Sequence, residues 1–195
     1  GFTRSFDTFK GAGAVKTCVA PRRILAECKR RSGKLKGRPL TFRKAAIHDA
    51  GHIQKLINEY ASKNLMLARS LSEIYETIRD FWVCEENKKI IACCALHVVG
   101  WESLSEIKSL AVSKTRHKRG IGTHLVRTCL DEAKNLKVKH VFVLTNAPQF
   151  FRKLGFKRIA KAKLPHKIWT ECYKCAQFPN CCEEALIKKV SFIPT

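Results

Sequence analysis

The chain has 195 residues with 38 Lys+Arg against 16 Asp+Glu, a formal net charge of +22, and that length suffices for one domain with a full core plus an appended segment. No apolar run approaches the roughly 18 residues needed to cross a bilayer, which excludes a membrane-spanning helix and predicts a soluble protein. Nor does the sequence show a Ser-His-Asp arrangement, a paired-carboxylate hydrolase signature or a redox-cofactor box.

The positive charge is unevenly spread. Residues 1–44 hold 13 basic and 2 acidic residues, and the remaining 151 hold 25 and 14. With Gly11, Gly13, Pro21, Gly33, Gly37 and Pro39 and no sustained apolar period, residues 1–40 read as an irregular basic arm ahead of a domain over 41–195. Three roles are open for the arm: an organelle-targeting segment, since it is poor in acids and lacks the apolar core of a secretory signal; a phosphate-neutralising binding arm; or a solvated linker or remnant of a longer chain. The expected compartment is cytoplasmic, or mitochondrial or plastid if the arm is a targeting segment.

From Thr41 the texture is globular. Thr41–Ala45 reads as a first strand leading into a helix from near Asp49, where Ile53, Leu56, Ile57 and Tyr60 recur at helical spacing. Ser70-x-x-Glu73 is a capping-box start for a second helix with Ile74, Tyr75 and Ile78 on its buried side. Phe81–Cys84 and Ile90–Val99 read as strands joined by a tight turn at Glu86-Asn87-Lys88. A further strand over Ile107–Val112 passes through a polar loop to Arg119-Gly120-Ile121-Gly122 and a helix with Leu125, Cys129 and Ala133 on one face. Next come a strand at His140–Thr145, a short helix at Pro148–Leu154 stopped by Gly155, and strands at Phe156–Ile159 and Leu186–Val190. This order predicts an α/β fold with a mixed sheet.

The loop before the third helix is the centre of the sequence. Glycines let a phosphate approach the backbone, and the unpaired N–H groups and dipole of a first helical turn point at its charge. Lys114, Arg116, Lys118 and Arg119 crowd the same turn, so Lys118–Gly122 reads as a pyrophosphate cradle. It lacks the Lys-Ser/Thr ending of a P-loop and the third glycine of a dinucleotide fingerprint.

Framed by Leu110-Ala111-Val112 and a helix, this loop resembles the acetyl-CoA motif of the GNAT superfamily of N-acetyltransferases, Gln/Arg-x-x-Gly-x-Gly/Ala, with His117 departing from its first position. A second stretch, Asn146-Ala147-x-x-Phe150-Phe151-x-x-x-Gly155-Phe156, is similar to the superfamily segment behind the cofactor, with the Asn-to-Ala spacing shortened. The resemblance covers about residues 41–190. It implies the GNAT fold, a mostly antiparallel sheet splayed at its central strand, and acetyl-CoA as co-substrate. It also implies cofactor contacts from Leu110, Ala111, Val112, His117, Lys118, Arg119, Gly120, Ile121, Gly122, Thr123, Asn146 and Phe151, the last packing against the pantetheine arm where many relatives carry a Tyr donor.

Within the superfamily, Leu67-Ala68-Arg69-Ser70, Phe81-Trp82-Val83, Thr145-Asn146 and the tail Leu164-Pro165-His166-Lys167-Ile168-Trp169 are similar to short N-acetylglutamate synthases of arginine biosynthesis. That resemblance implies L-glutamate as the acceptor. Other amines remain alternatives: a small metabolite, a polyamine or a protein lysine. So do a CoA-binding regulator and a nucleic-acid-binding protein, the last disfavoured because no aromatics interleave a basic strand face. A homodimer is left open.

Acetyl transfer needs a neutral amine, so a base must take a proton, directly or through water. By resemblance the base is Glu106 and the oxyanion donor is the Leu110 main-chain N–H, freed by a bulge. A dicarboxylate acceptor calls for cations; Arg69 is the first choice and Lys108 the second, its face left undecided by alternation. Cys93, Cys94 and Cys129 fall in apolar runs and read as buried free thiols. In the Cys-rich loop 164–183, His166, Cys172, Cys175 and Cys181 have residue types that could hold a structural zinc, although a disulfide or reduced thiols fit equally.

Overall fold

The computed structural model describes residues 39–99, 103–164 and 181–191. Residues 1–38 of the arm, and His166, Cys172 and Cys175 of the expected zinc set, lie outside the described residues. The chain order is β1 (Thr41–Lys44), α1 (Ala50–Ala61), α2 (Leu71–Glu76), β2 (Phe81–Glu86), β3 (Lys89–Val98), β4 (Leu104–Val112), α3 (Ile121–Asn135), β5 (His140–Thr145), α4 (Pro148–Arg152), β6 (Lys157–Arg158) and β7 (Glu184–Lys189), with short 3-10 turns between several of them. Among the described residues, no helix is long and apolar enough to cross a membrane.

Local chemistry accounts for the element boundaries. The Ser70 hydroxyl accepts the Glu73 N–H at 3.2 Å while the Glu73 carboxylate accepts the Ser70 N–H at 2.8 Å, so two orphan donors of α2 are satisfied at once. β2 turns into β3 through Asn87 and Lys88, both left-handed (φ 51° and 59°), whose twist suits a two-residue hairpin. Before α1, Arg43 grips Asp49 with two hydrogen bonds of 2.6 and 2.9 Å and also reaches Glu85, while Asp49 accepts the Ala46 N–H at 2.8 Å. Hydrogen bonding from Arg43 holds the Asp49 carboxyl below its usual range despite burial.

Seven strands form one sheet in the order β1-β2-β3-β4-β5-β7-β6, in which only β4 and β5 run parallel. On one face Leu125, Val126, Cys129 and Ala133 of α3 pack on Cys94, Leu96 and Ile107. On the other, Ile53 and Ile57 of α1 and Ile74 of α2 pack on Phe81, Val83, Cys93, Ala95 and Ala111. Cys84, Cys93, Cys94 and Cys129 are buried free thiols, and burial raises the thiols of Cys84 and Cys93 to about 12.

Two features of β4 position everything that follows. Its parallel pairing with β5 runs only from Leu104 to Glu106, after which the two strands are no longer partners. Against β3, Ala95 faces Lys108 and Cys93 faces Ala111, so Ser109 and Leu110 together stand opposite Cys94. That is a β-bulge, with Ser109 left-handed at φ 54°. It also inverts the alternation: Ile107 faces α3, and beyond the extra residue so does Leu110. The mixed sheet splayed at its central strand is thus the architecture expected from the sequence.

Several expectations need correction in detail. Tyr75, expected on the buried side of α2, is 47% exposed, because α2 ends at Glu76 and only Ile74 turns inward. β4 begins three residues earlier than its apolar run, since the ladders on both sides continue through Ser105 and Glu106. α4 ends at Arg152 rather than Leu154, β6 is confined to Lys157–Arg158, and β7 starts at Glu184.

Candidate active site

The loop after β4 is built by backbone geometry and pinned by side chains. Lys118 (φ 59°) and Gly120 (φ 76°) are both left-handed, and Gly120 caps α3, where the His124 N–H reaches the Gly120 carbonyl at 2.9 Å. The N–H groups of the first turn ahead of it have no intrahelical acceptor. A Cβ on Gly120 would meet nothing within 4 Å, and one on Gly122 would make only ordinary contacts with Phe150 and Val112 at 3.6 and 3.7 Å. Packing inside the chain therefore does not demand glycine at 122. The open side of this turn fits a ligand that comes close to the backbone, as the pyrophosphate of acetyl-CoA would.

The cations of the loop divide into two groups. Arg116 reaches Glu86 at 2.6 Å and Arg119 reaches the same carboxylate at 3.3 Å, with Glu86 only 5% exposed at the end of β2. The Arg116 guanidinium, with Arg119 behind it, holds the Glu86 carboxyl below the usual carboxylate range. Lys114 and Lys118 are exposed. His117, where the motif usually has Gln or Arg, has a structural post: its Nε2–H donates to the Val112 carbonyl at 2.8 Å and lies 2.8 Å from the Tyr60 hydroxyl, which also donates to that carbonyl. The loop is thereby tied to α1. Sequence reading had no signal for Glu86 or Tyr60 in this role, because their partners lie 30 to 57 residues away.

A cleft of about 220 Å³ is lined by Arg69, Glu73, Ile74, Glu76, Thr77, Phe81, Lys108 and Ser109. Arg69 and Lys108, proposed separately from sequence, meet on one cleft that ends at the bulge. Lys108 stands opposite Ala95, which packs with α1 and α2, so its side chain rises on their face of the sheet. The Arg69 backbone is clamped by Asn58, whose amide accepts the Arg69 N–H at 3.0 Å and donates to its carbonyl at 3.1 Å. Glu106 is half-buried at the last paired position of β4 with β5, where the opening between the strands begins.

Two expected cofactor contacts are rearranged. Phe151 is 3% exposed and packs edge-on between Phe150 and Phe156, so its ring belongs to the core. Phe150, half-buried beside Gly122, is the neighbouring aromatic with surface to offer. Asn146 is exposed and accepts the Cys182 thiol at 3.3 Å, while the Thr145 hydroxyl accepts the Ala147 N–H at 2.9 Å. Cys181 is half-buried with its carbonyl on Lys161. Among the described residues, no three His, Cys, Asp or Glu side chains converge on a metal position.

A strand that splays at a bulge and delivers a glycine-capped helix beside a cleft with two cations and two carboxylates is an arrangement that suits transfer of an acyl group from a CoA thioester. A sequence profile of the acetyltransferase (GNAT) domain matches residues 77–158. An uncharacterized N-acetyltransferase of Chlorobaculum tepidum is 38% identical over 146 residues, 75% of this chain and 94% of the relative. The amino-acid acetyltransferase of Mycobacterium tuberculosis is 35% identical over 132 residues, 66% of this chain and 75% of that protein. N-acetylglutamate synthase from Neisseria gonorrhoeae, solved with coenzyme A and N-acetyl-glutamate, superposes with a TM-score of 0.72 at 24% identity; the match covers 80% of this chain and 36% of that one. A Mycobacterium tuberculosis protein solved with CoA gives a TM-score of 0.67 at 29% identity, covering 77% of this chain and 99% of that one.

The chain belongs to the GNAT N-acetyltransferases. It is an acetyltransferase whose co-substrate is acetyl-CoA.

Proposed function

We propose that the protein transfers acetyl from acetyl-CoA to the α-amine of L-glutamate. The observation that carries this reading is the meeting of Arg69 and Lys108 on one cleft beside the bulge. Two cations on one wall suit an acceptor with two carboxylates, Arg by bidentate pairing and Lys as a point charge. Relatives named amino-acid acetyltransferase support the same class of acceptor.

Acetyl-CoA supplies an acyl group activated as a thioester; the rest falls to this chain. The N–H groups from Arg119 to Thr123 hold the pyrophosphate, with Lys118 at the rim, while Ala111 and Val112 border the pantetheine arm and Asn146 follows the end of β5. Glu106 takes one proton from the acceptor ammonium through a water, leaving an amine able to attack the carbonyl carbon. As the N–C bond forms, the Leu110 N–H, outside the ladder at the bulge, stabilises the charge on oxygen. The C–S bond then breaks, the sulfur leaves as thiolate, and the nitrogen gives up its second proton to solvent water. With Phe151 unable to donate, the thiolate's proton comes from water, which suffices for a leaving group with a thiol pKa near about 8.5.

The test is release of CoA thiol with L-glutamate compared with L-glutamine, ornithine, spermidine and a lysine peptide, with the product mass measured. Saturable release with glutamate is expected; release only with the cationic amines would overturn the acceptor. Glu106→Gln is expected to lose about a hundredfold or more in kcat with acetyl-CoA affinity retained, and turnover like the parent's would refute the base.

A further inference from the structure

His97 stands directly opposite Glu106 in the β3–β4 ladder. Directly opposed residues project from the same face, with Cβ atoms about 4.5–5.5 Å apart, so the imidazole and the carboxylate are neighbours on the α1/α2 face. Behind the ring, His97 Nδ1 lies 2.5 Å from Asp80 Oδ2. An ionised carboxylate only accepts, so Nδ1 carries the hydrogen, and in the neutral ring the lone pair is on Nε2. Asp80 ends the 3-10 turn Ile78–Asp80, which runs directly from Thr77 to Phe81, two residues of the cleft wall. Both side chains are partly covered, 34% exposed for His97 and 26% for Asp80.

We propose that His97, oriented by Asp80, is a positioning residue behind Glu106 and the next stop for the proton that Glu106 removes. The inference rests on Glu106 as the base. A carboxylate takes an ammonium proton reluctantly, because its own proton affinity is far below that of an amine; an imidazole beyond it improves the match at neutral pH. Of the two protons that the acceptor ammonium gives up, the first passes through Glu106 to Nε2 of His97 and the second leaves the nitrogen for solvent as the thiolate departs. The resulting imidazolium sits between the Asp80 and Glu106 carboxylates and returns its proton to solvent after the thiolate has left. The titratable groups around the ring are Asp80 and its neighbour Arg79 from the turn, and Glu106 and Lys108 from β4.

The experiment is the pH dependence of kcat and kcat/KM for thiol release by the full chain, using whichever amine gives the fastest turnover. Parent, His97→Gln, Asp80→Asn and Glu106→Gln are compared, with acetyl-CoA KM and melting temperature recorded for each. His97→Gln is expected to lower kcat about tenfold to a hundredfold, to move the acid limb of the profile, and to regain rate when imidazole is added, with acetyl-CoA KM unchanged. Asp80→Asn should change the profile in the same direction by less. A His97→Gln profile of parental shape, lowered uniformly and without response to imidazole, would reduce His97 to a pin between turn and strand and overturn the proposal. If Glu106→Gln kept the parent rate, the base assignment would fail and this proposal with it. Loss in Glu106→Gln beside an unaltered His97→Gln would overturn the relay alone.

Discussion

The two halves of the site are made of different material. The acetyl-CoA half is main chain: a left-handed Gly120, a left-handed Lys118, the first turn of α3 and a bulge at Ser109–Leu110. Its two arginines, Arg116 and Arg119, are turned onto the buried Glu86. The cleft proposed for the acceptor is side chain, with Arg69 and Lys108 set on a wall that also carries Glu73 and Glu76. Backbone geometry depends on a few obligatory conformations and tolerates changes of side chain, as His117 illustrates at a position where Gln or Arg is usual. A wall of side chains can change its ligand by single substitutions. The half proposed to hold acetyl-CoA therefore rests on main-chain conformation, and the half proposed to select the amine is open to change by single substitutions.

The largest effect should come from forcing the backbone half. Gly120→Val places a β-branched residue at φ 76°, a conformation costing an L-residue roughly 1–2 kcal/mol before any ligand is met, and its side chain occupies the open side of the turn. We expect KM for acetyl-CoA to rise about a hundredfold, with the glutamate KM nearly unchanged. An equal rise in both would mean that the halves are not separable. Next is Arg69→Ala, which removes hydrogen bonds between charged partners worth about 1.5–3 kcal/mol; kcat/KM for glutamate should fall about tenfold to 150-fold while acetyl-CoA KM stays. Arg69→Lys should restore only part, because a point charge cannot pair bidentately. A third, smaller change tests the pinning of the loop. Glu86→Gln frees Arg116 and Arg119, and acetyl-CoA KM should change about threefold to fivefold with kcat unaltered. A change in kcat instead would assign Glu86 to the reacting centre.

The same division explains what could be read from the sequence. Periodicity and punctuation located α1, α2, α3 and β5, because Ser70-x-x-Glu73, Gly120 and the strict apolar run His140–Thr145 are local signals. The glycine turn ahead of α3 was legible for the same reason. What stayed hidden depends on distant partners or on register. The side of the sheet on which Lys108 stands follows from pairing with Ala95, and the bulge beyond it flips Leu110. Phe150 and Phe151 are adjacent in a five-residue helix, too short for its period to tell which ring is buried. Asn58 reaches Arg69 across 11 residues, and the carboxylate of Glu86, at the edge of an Asn-Lys turn, looked like ordinary hairpin polarity.

A control on the comparison lies outside both halves. Arg43 and Asp49 lock β1 to the start of α1, the helix that reaches the loop through Tyr60 and the cleft through Asn58. Because Arg43 holds the Asp49 carboxyl below its ordinary value, the pair contributes stability that is fully present above the unfolded pKa, about 3.9, and is lost as pH falls through the folded one. Asp49→Asn should therefore leave both KM values within about twofold at neutral pH, lower stability by about 1–3 kcal/mol, and flatten the loss of melting temperature below about pH 4. Both KM values should move together if they move at all, since α1 serves both halves. A variant that shifted one alone would show that α1 transmits strain selectively, and the loop and the cleft would then have to be treated as coupled through Tyr60 or Asn58.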